Sequence, residues 1–437
     1  MKLFCHKPKR KGQRECGQVL ILFICFAVVL LLFVGLGIDL GFAYLTQARL
    51  SKAIDSAALA GMNNLYRGSN QAIAIAQATF AANFAPNTNS FSPGYVTGTP
   101  SPSVSFSNAP PDVILNVSAY ATNRSFFIGM LGYHTLAVAN SAQATRLPLI
   151  MTLVLDRSGS MDPTCSGGPG AGCTYGGTYL PNAVLNFIKD FDPVNDQAAV
   201  ITFASTWTND VPMTTSFQTA IPKAITNIVW DGGTCSMCGL TNALLLEQSV
   251  GSVATSVKAV VFFTDGLANM IEQNLSCPSS GAWNFGGYQG GSGQWAGFWH
   301  TNDAVKAGNN DPQNNPTCIA GGSGCCSQSA TYRSYDGSLS KFSMDNVIDD
   351  ATNRCIRIAR QMQAAGMYVF CVGLDGGGIA PPTADFLQTV ANDPSNANPD
   401  HYDPSLPAGV AYITGDGKEV NELFQLVAGQ IQLRLTR

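Results

Sequence analysis

From Val19 to Ile38 the chain is apolar without one charged residue. At about 1.5 Å of rise per residue a helix of this length covers roughly the 30 Å hydrocarbon core of a bilayer. The run is therefore expected to be a transmembrane helix. Past it, Ala43, Ala48, Leu50, Ala53, Ile54, Ala57, Ala58 and Ala60 are mostly strong helix formers, and charges appear only at Asp39, Arg49, Lys52 and Asp55. The helix should continue to about Tyr66. Gly68-Ser69-Asn70 breaks it, and Gln71 to Phe84 predicts a second helix. Pro86 to Pro111 is rich in Pro, Ser, Thr and Asn, after which Val113–Thr122 and Leu136–Thr145 alternate as strands do.

After Pro148 the pattern changes again. Short apolar runs at Leu149–Leu155, Ala198–Phe203, Val260–Phe263 and Tyr368–Gly373 read as buried strands. Helical segments at Leu180–Phe191 and around Ala243–Leu246 lie between them. A closing amphipathic helix, Glu419–Leu433, puts Val420, Leu423, Phe424, Val427 and Ile431 on one face. Strands alternating with helices imply an α/β domain with a parallel central sheet and helices on both faces. The expected division is a basic tail (1–18), a transmembrane helix (19–38), a helical and β-rich stalk (39–147) and the α/β domain (148–437). Two insertions, 162–178 and 274–343, interrupt the last.

Charge sets the topology. Lys2, Lys7, Lys9, Arg10, Lys11 and Arg14 precede the apolar run, opposed only by Glu15. Basic flanks stay in the cytoplasm, so the remainder should be exported. A cleaved signal sequence fits less well, because the run exceeds the usual h-region and no A-x-A-like site follows it. The net charge of −4 offers no basic field for nucleic acid. Of the 13 cysteines, Cys5, Cys16 and Cys25 lie in the tail or membrane. The exported ones read first as disulfides. Cys235-x-x-Cys238 allows a redox pair, half a zinc site or a local disulfide; the last is preferred, since the adjacent Cys325-Cys326 is badly spaced to complete a zinc site. His6, His134, His300 and His401 stand in no Ser/His/Asp or HExxH context, so no enzyme is expected.

The candidate chemistry begins where the first buried strand ends, at Asp156-Arg157-Ser158-Gly159-Ser160. Ligand sites of open α/β sheets lie at such C-terminal strand ends. Hydroxyls at Ser158 and Ser160, two residues apart on a tight loop, can face one hard cation, with Asp156 supplying charge. Gly232-Gly233-Thr234 adds a third hydroxyl, and Thr264-Asp265-Gly266, after another apolar strand, adds a second carboxylate. In this order the three segments resemble the metal-ion-dependent adhesion site of von Willebrand factor A (VWA) domains, and the resemblance covers about 148–437. It implies a doubly wound, Rossmann-like fold and a cation, Mg²⁺, Mn²⁺ or Ca²⁺, at Asp156, Ser158, Ser160, Thr234 and Asp265. It also implies a protein partner that fills the open position with a carboxylate. Here Cys235 to Thr241 intervenes before the Ala-Leu that usually follows GGT, which makes Thr241 a reserve ligand.

The N-terminal third resembles the TadG family of Tad-type (Flp) pilus assembly. Gly17-Gln18-Val19, the apolar run, Gly37-Ile38-Asp39, Leu45 to Leu50 and Asp55 to Ala60 carry that likeness. Related pilins have a Glu five residues after a processed Gly; Leu22 stands there, so the anchor should be retained. The resemblance implies a single-pass protein of the bacterial inner membrane, its C-terminal domain periplasmic or extracellular, bound to pilus machinery or to a surface ligand. A structural scaffold whose cation only stiffens the fold, and a thiol-redox enzyme using Cys235 and Cys238, are the alternatives. The long insertion, with Trp283, Trp295 and Trp299, is expected to be a disulfide-stapled loop that caps the site.

Overall fold

The computed structural model describes residues 16–84, 96–98, 100–109, 112–165, 173–250, 256–275, 281–286, 297–300, 331–376 and 381–436. It divides into two compact units.

In the first unit α1 (Cys16–Asn63) runs without interruption through the apolar segment and on past Asp39. Its N-terminal half exposes Leu, Ile, Val and Phe side chains almost all round, as a helix compatible with a single-pass anchor does. The C-terminal half buries Leu50, Ala53, Ile54 and Ala57, and α2 (Ser69–Asn83) buries Ala72, Ala76 and Phe80. Alanines let the two backbones come close. At Gly61 an added Cβ would lie 2.7 Å from the Leu115 side chain and 2.9 Å from the Ala76 Cβ. Strands β1 (Val96–Thr97), β2 (Ser103–Ala109), β3 (Asp112–Arg124) and β4 (Thr135–Arg146) form one sheet, with β3 paired to all the others. Val113, Leu115, Val117, Ala119 and Ala121 give β3 one buried face, the alternation read from sequence. The connection from β3 to β4 folds into a 3₁₀ turn, Ile128–Leu131. The Asp39 carboxylate accepts the N–H groups of Phe126, Phe127 and Ile128 at 2.9, 2.8 and 2.8 Å.

The second unit is the α/β domain. Its elements are β5 (Leu149–Asp156), α3 (Leu180–Phe187), β6 (Gln197–Phe203), β7 (Trp207–Thr214), α4 (Phe217–Ile225), α5 (Ser236–Ser249), β8 (Val257–Thr264), β9 (Met270–Leu275), β10 (Gly281–Gly286), β11 (Gly297–His300), β12 (Thr331–Arg333), β13 (Leu339–Lys341), α6 (Met344–Ala364), β14 (Tyr368–Leu374), α7 (Ala384–Ala391), β15 (Ala411–Thr414) and α8 (Val420–Leu435). The main sheet has the order β15-β14-β8-β5-β6-β7, parallel except for β7. Every residue of β5 is buried, as a central parallel strand covered on both faces requires. One core packs α5, α6 and α7 residues such as Leu240, Ala351 and Leu387 against the sheet; the other packs Phe187, Phe217 and Phe424 from α3, α4 and α8.

At the end of the sheet where the chain enters, an ion pair and backbone hydrogen bonds tie the elements together. Arg146 forms a two-pronged ion pair with Asp196, at 2.8 and 2.5 Å, and both are buried. Asp196 also accepts the N–H groups of Leu149 and Asp192 at 3.0 and 2.8 Å. The Leu147 N–H donates to the Leu435 carbonyl at 2.9 Å, tying the last helix to the segment that leads into β5.

Three expectations change. The helix predicted to reach Phe191 ends at Phe187 and tightens into a 3₁₀ turn, Ile188–Asp190. The edge strand β7 was not predicted: its polar sequence and Pro212 suit only a strand with one free side. The long insertion is not a structureless loop where it is described. Strands β9–β11 make an antiparallel sheet and β12–β13 a hairpin. Phe285, Tyr332 and Phe342, with ring centroids 4.9–5.2 Å apart, are buried in the same core as α5 and α6. Trp295 and the cysteines at 277, 318, 325 and 326 lie outside the described residues.

Candidate metal centre

Strands β5 and β8 are parallel neighbours with Leu155 opposite Phe263, so Asp156 and Thr264 end at the same level on the C-terminal edge. The Asp156 carboxylate, fully buried, accepts the Ser158 N–H at 2.8 Å and the Thr264 hydroxyl at 2.7 Å. The chain then turns through Gly159–Met161, which brings Ser160 beside Ser158, their hydroxyl oxygens 3.1 Å apart. Both hydroxyls point at Asp265: Ser160 donates to it at 2.9 Å and Ser158 at 3.4 Å. The structure thus gathers Asp156, Ser158, Ser160 and Asp265 into one cluster.

Thr234 is next to this cluster through its loop. The Gly159 N–H donates to the Gly232 carbonyl at 3.0 Å, and the Asp231 N–H to the Arg157 carbonyl at 3.0 Å. Gly232 has φ +97°, and a Cβ there would lie 2.8 Å from the Ser205 hydroxyl, so only glycine suits this turn. Thr234 is buried, with its N–H on the Asn269 side-chain oxygen at 2.7 Å. Among the described residues its hydroxyl makes no hydrogen bond to the other four. The intervening Cys235–Thr241 segment is not an extra loop: α5 starts at Ser236, so Thr241 sits in its second turn and bonds to none of the four.

Sequence reading missed two hydroxyls. Thr264, inside the TDG motif, caps Asp156. Thr174, in the first insertion, donates a short hydrogen bond to the second oxygen of Asp265 and is held by its N–H on the Ser160 carbonyl at 2.8 Å. The Cys165–Cys173 disulfide closes the loop that delivers it.

Burial, and then the negative charge of Asp265, push the Asp156 carboxyl up to about 7. Burial likewise raises Asp265. Neither has a salt-bridge partner among the described residues. The donor set is all oxygen, two of it anionic, which fits a hard divalent cation.

The other cysteines divide. Cys235 and Cys238 form a disulfide at the start of α5, with both residues buried. Cys355 and Cys371, expected among the disulfides, are free thiols buried in α6 and β14, where they pack as small apolar side chains and burial raises both pKa values.

A family model for Flp pilus-assembly TadE/G-like proteins matches residues 17–67, and one for the von Willebrand factor type A domain matches residues 151–267. The chain joins a TadE/G-like segment to a VWA domain. All five candidate ligands fall inside the matched part of the VWA domain. The chain is also similar to solved structures. Against the PilB minor pilin from Streptococcus sanguinis the identity is 14%, covering 77% of this chain and 79% of that one, with a TM-score of 0.43. Against the pilus adhesin SpaC from Lactobacillus rhamnosus GG the values are 13%, 81% and 37%, and 0.41. Against the vWF domain of the type V pili tip protein Mfa5 from Porphyromonas gingivalis they are 15%, 67% and 97%, and 0.38. No curated protein matches the chain.

Proposed function

We propose that this chain is a membrane-anchored binding protein of a Tad-type pilus system. In this reading the VWA domain holds a divalent cation with Asp156, Ser158, Ser160, Thr234 and Asp265, and binds a carboxylate of a protein partner. The observation that carries it is the buried Asp156–Asp265 pair, which faces two serine hydroxyls and has no cationic side chain beside it among the described residues. Two carboxylates confined together favour a positive charge between them. A divalent cation there would supply an electrophilic centre with a position left open for the partner. The TadE/G-like match supports the pilus context. The basic residues before α1 support a cytoplasmic N-terminus, an inner-membrane anchor and an exported VWA domain.

The test is calorimetric titration of Mg²⁺ and Mn²⁺ into the full chain in detergent, beside Ser160→Ala and Asp265→Asn. Saturable binding in the parent, lost in a still-folded Asp265→Asn, is expected. A folded parent that binds neither ion would sink the proposal. It would favour the scaffold reading, which draws on the way Asp156 ties the Ser158 and Thr264 loops together. A thiol-redox role finds no support in the Cys235–Cys238 disulfide, because its burial keeps an attacking thiolate out.

A further inference from the structure

The loop between β3 and β4, Phe126-Phe127-Ile128-Gly129-Met130-Leu131-Gly132-Tyr133, carries no charge. It presents large apolar side chains outward: Phe126 is 51% exposed, Met130 78% and Tyr133 69%. Such a patch on a small unit marks a surface that something covers.

Its position along α1 says what. Phe127 and Ile128 line an apolar groove together with Val29, Leu32, Phe33 and Leu36 of the anchor. Gly35 has no side chain because the Phe127 ring takes that space; a Cβ there would lie 2.3 Å from it. The loop therefore sits at the level of the last turns of the apolar run, inside its end at Ile38. Met130 and Tyr133 are exposed on the same short loop as Phe127 and Ile128, which share the groove with Phe33 and Leu36.

The backbone of the loop is equipped for that depth, where a free N–H costs several kcal/mol. The N–H groups of Phe126, Phe127 and Ile128 all end on Asp39, which is only 3% exposed. Those of Met130, Gly132 and Tyr133 donate to carbonyls of the loop itself, at 3.1, 3.1 and 3.3 Å. The same bonds keep the Asp39 charge away from the apolar surface. Tyr133 at the edge of an apolar span suits the headgroup boundary.

We propose that Phe126–Tyr133 inserts into the leaflet from which α1 emerges, with phospholipid acyl chains covering Phe127, Ile128 and Met130. The exported stalk then grips the membrane at two points, the anchor and this loop. The proposal rests on the reading of α1 as an anchor, and the test separates the two.

Full-length chain is placed, one copy per disc, in phosphatidylethanolamine and phosphatidylglycerol nanodiscs whose acyl chains carry bromine. An environment-sensitive fluorescent amino acid replaces Phe33, Met130 or Ser118, one at a time. Ser118 is an exposed β3 residue. Leu115, three residues before it on the same strand, meets Gly61, about 39 Å along α1 from Gly35 at the helical rise. The expected result is a blue shift and bromine quenching at position 130 comparable with position 33, and neither at 118. Quenching at 33 with position 130 behaving like 118 overturns the insertion, leaves the anchor standing and assigns the patch to a protein partner. No quenching at 33 overturns both.

Discussion

The two ends of the VWA sheet treat buried carboxylates in opposite ways. Where the chain enters, Asp196 meets a guanidinium and two backbone N–H groups, so its charge is matched and its lone pairs are used. At the other end Asp156 and Asp265 meet hydroxyls, one N–H and each other's field. Both ends belong to the same strands, yet one is electrostatically finished and the other confines two carboxylates with no cationic side chain among the described residues. The asymmetry separates a stabilising Arg146 end from the Asp156 end, which the proposed function takes as the ligand site.

The largest effect expected from this contrast is at the finished end. Asp196→Ala strands a buried guanidinium and should cost roughly 3–5 kcal/mol in urea unfolding. A loss below about 1 kcal/mol, the range of an exposed pair, would contradict the contrast. Next comes pH. Without divalent cation the folded domain keeps the Asp156 proton up to about 7, whereas the ordinary value is 3.8. The folded state then binds more protons than the unfolded one, so stability should fall as pH rises from about 4 to 7, by up to about 4 kcal/mol. Burial also lifts Glu247 to about 7, so Glu247→Gln should remove its part of the slope and leave that of Asp156. Stability that climbed with pH across this window in the Glu247→Gln protein would refute the unfinished pair. A third expectation is that Mg²⁺ or Mn²⁺ at about a hundred times its Kd adds about 2.7 kcal/mol. Thermal unfolding should show this gain vanish in Asp265→Asn. The smallest effect is Thr174→Val, which should lose about 1 kcal/mol by removing one hydroxyl from Asp265. An unchanged midpoint would mean that the short contact carries no weight.

Much of this was legible in the residues. Apolar runs ending in Asp156 and Thr264 marked two parallel strands, and parallel neighbours deliver their next residues to one edge. That is why Asp156, Ser158, Ser160 and Asp265 could be placed together from their motifs. Thr174 could not, because it arrives on a loop whose path is set by the Cys165–Cys173 bond and by a carbonyl of Ser160, neither of which leaves a periodic trace. Arg146 and Asp196 were equally silent; a charge pair 50 residues apart has no spacing rule. The aromatic trio of Phe285, Tyr332 and Phe342 was hidden by the long polar stretch that separates its members, so an insertion that looked loose contributes to the core. Thr234 follows a loop that is hydrogen-bonded to the Ser158–Ser160 turn, while its hydroxyl stays outside the hydrogen-bonded cluster.

Strand β5 has a consequence beyond folding. It starts three residues after Arg146 and ends on Asp156, so one extended segment joins the point of chain entry to the candidate ligand site. Its neighbours β6 and β8 flank it in parallel along its whole length. Tension entering through Asp156 would be carried by the covalent backbone of β5, whereas tension entering through Asp265 at the end of β8 would load the β5–β8 hydrogen bonds in shear, all at once rather than one by one. By either route the load would reach the Arg146–Asp196 clasp at the far end of the same strand.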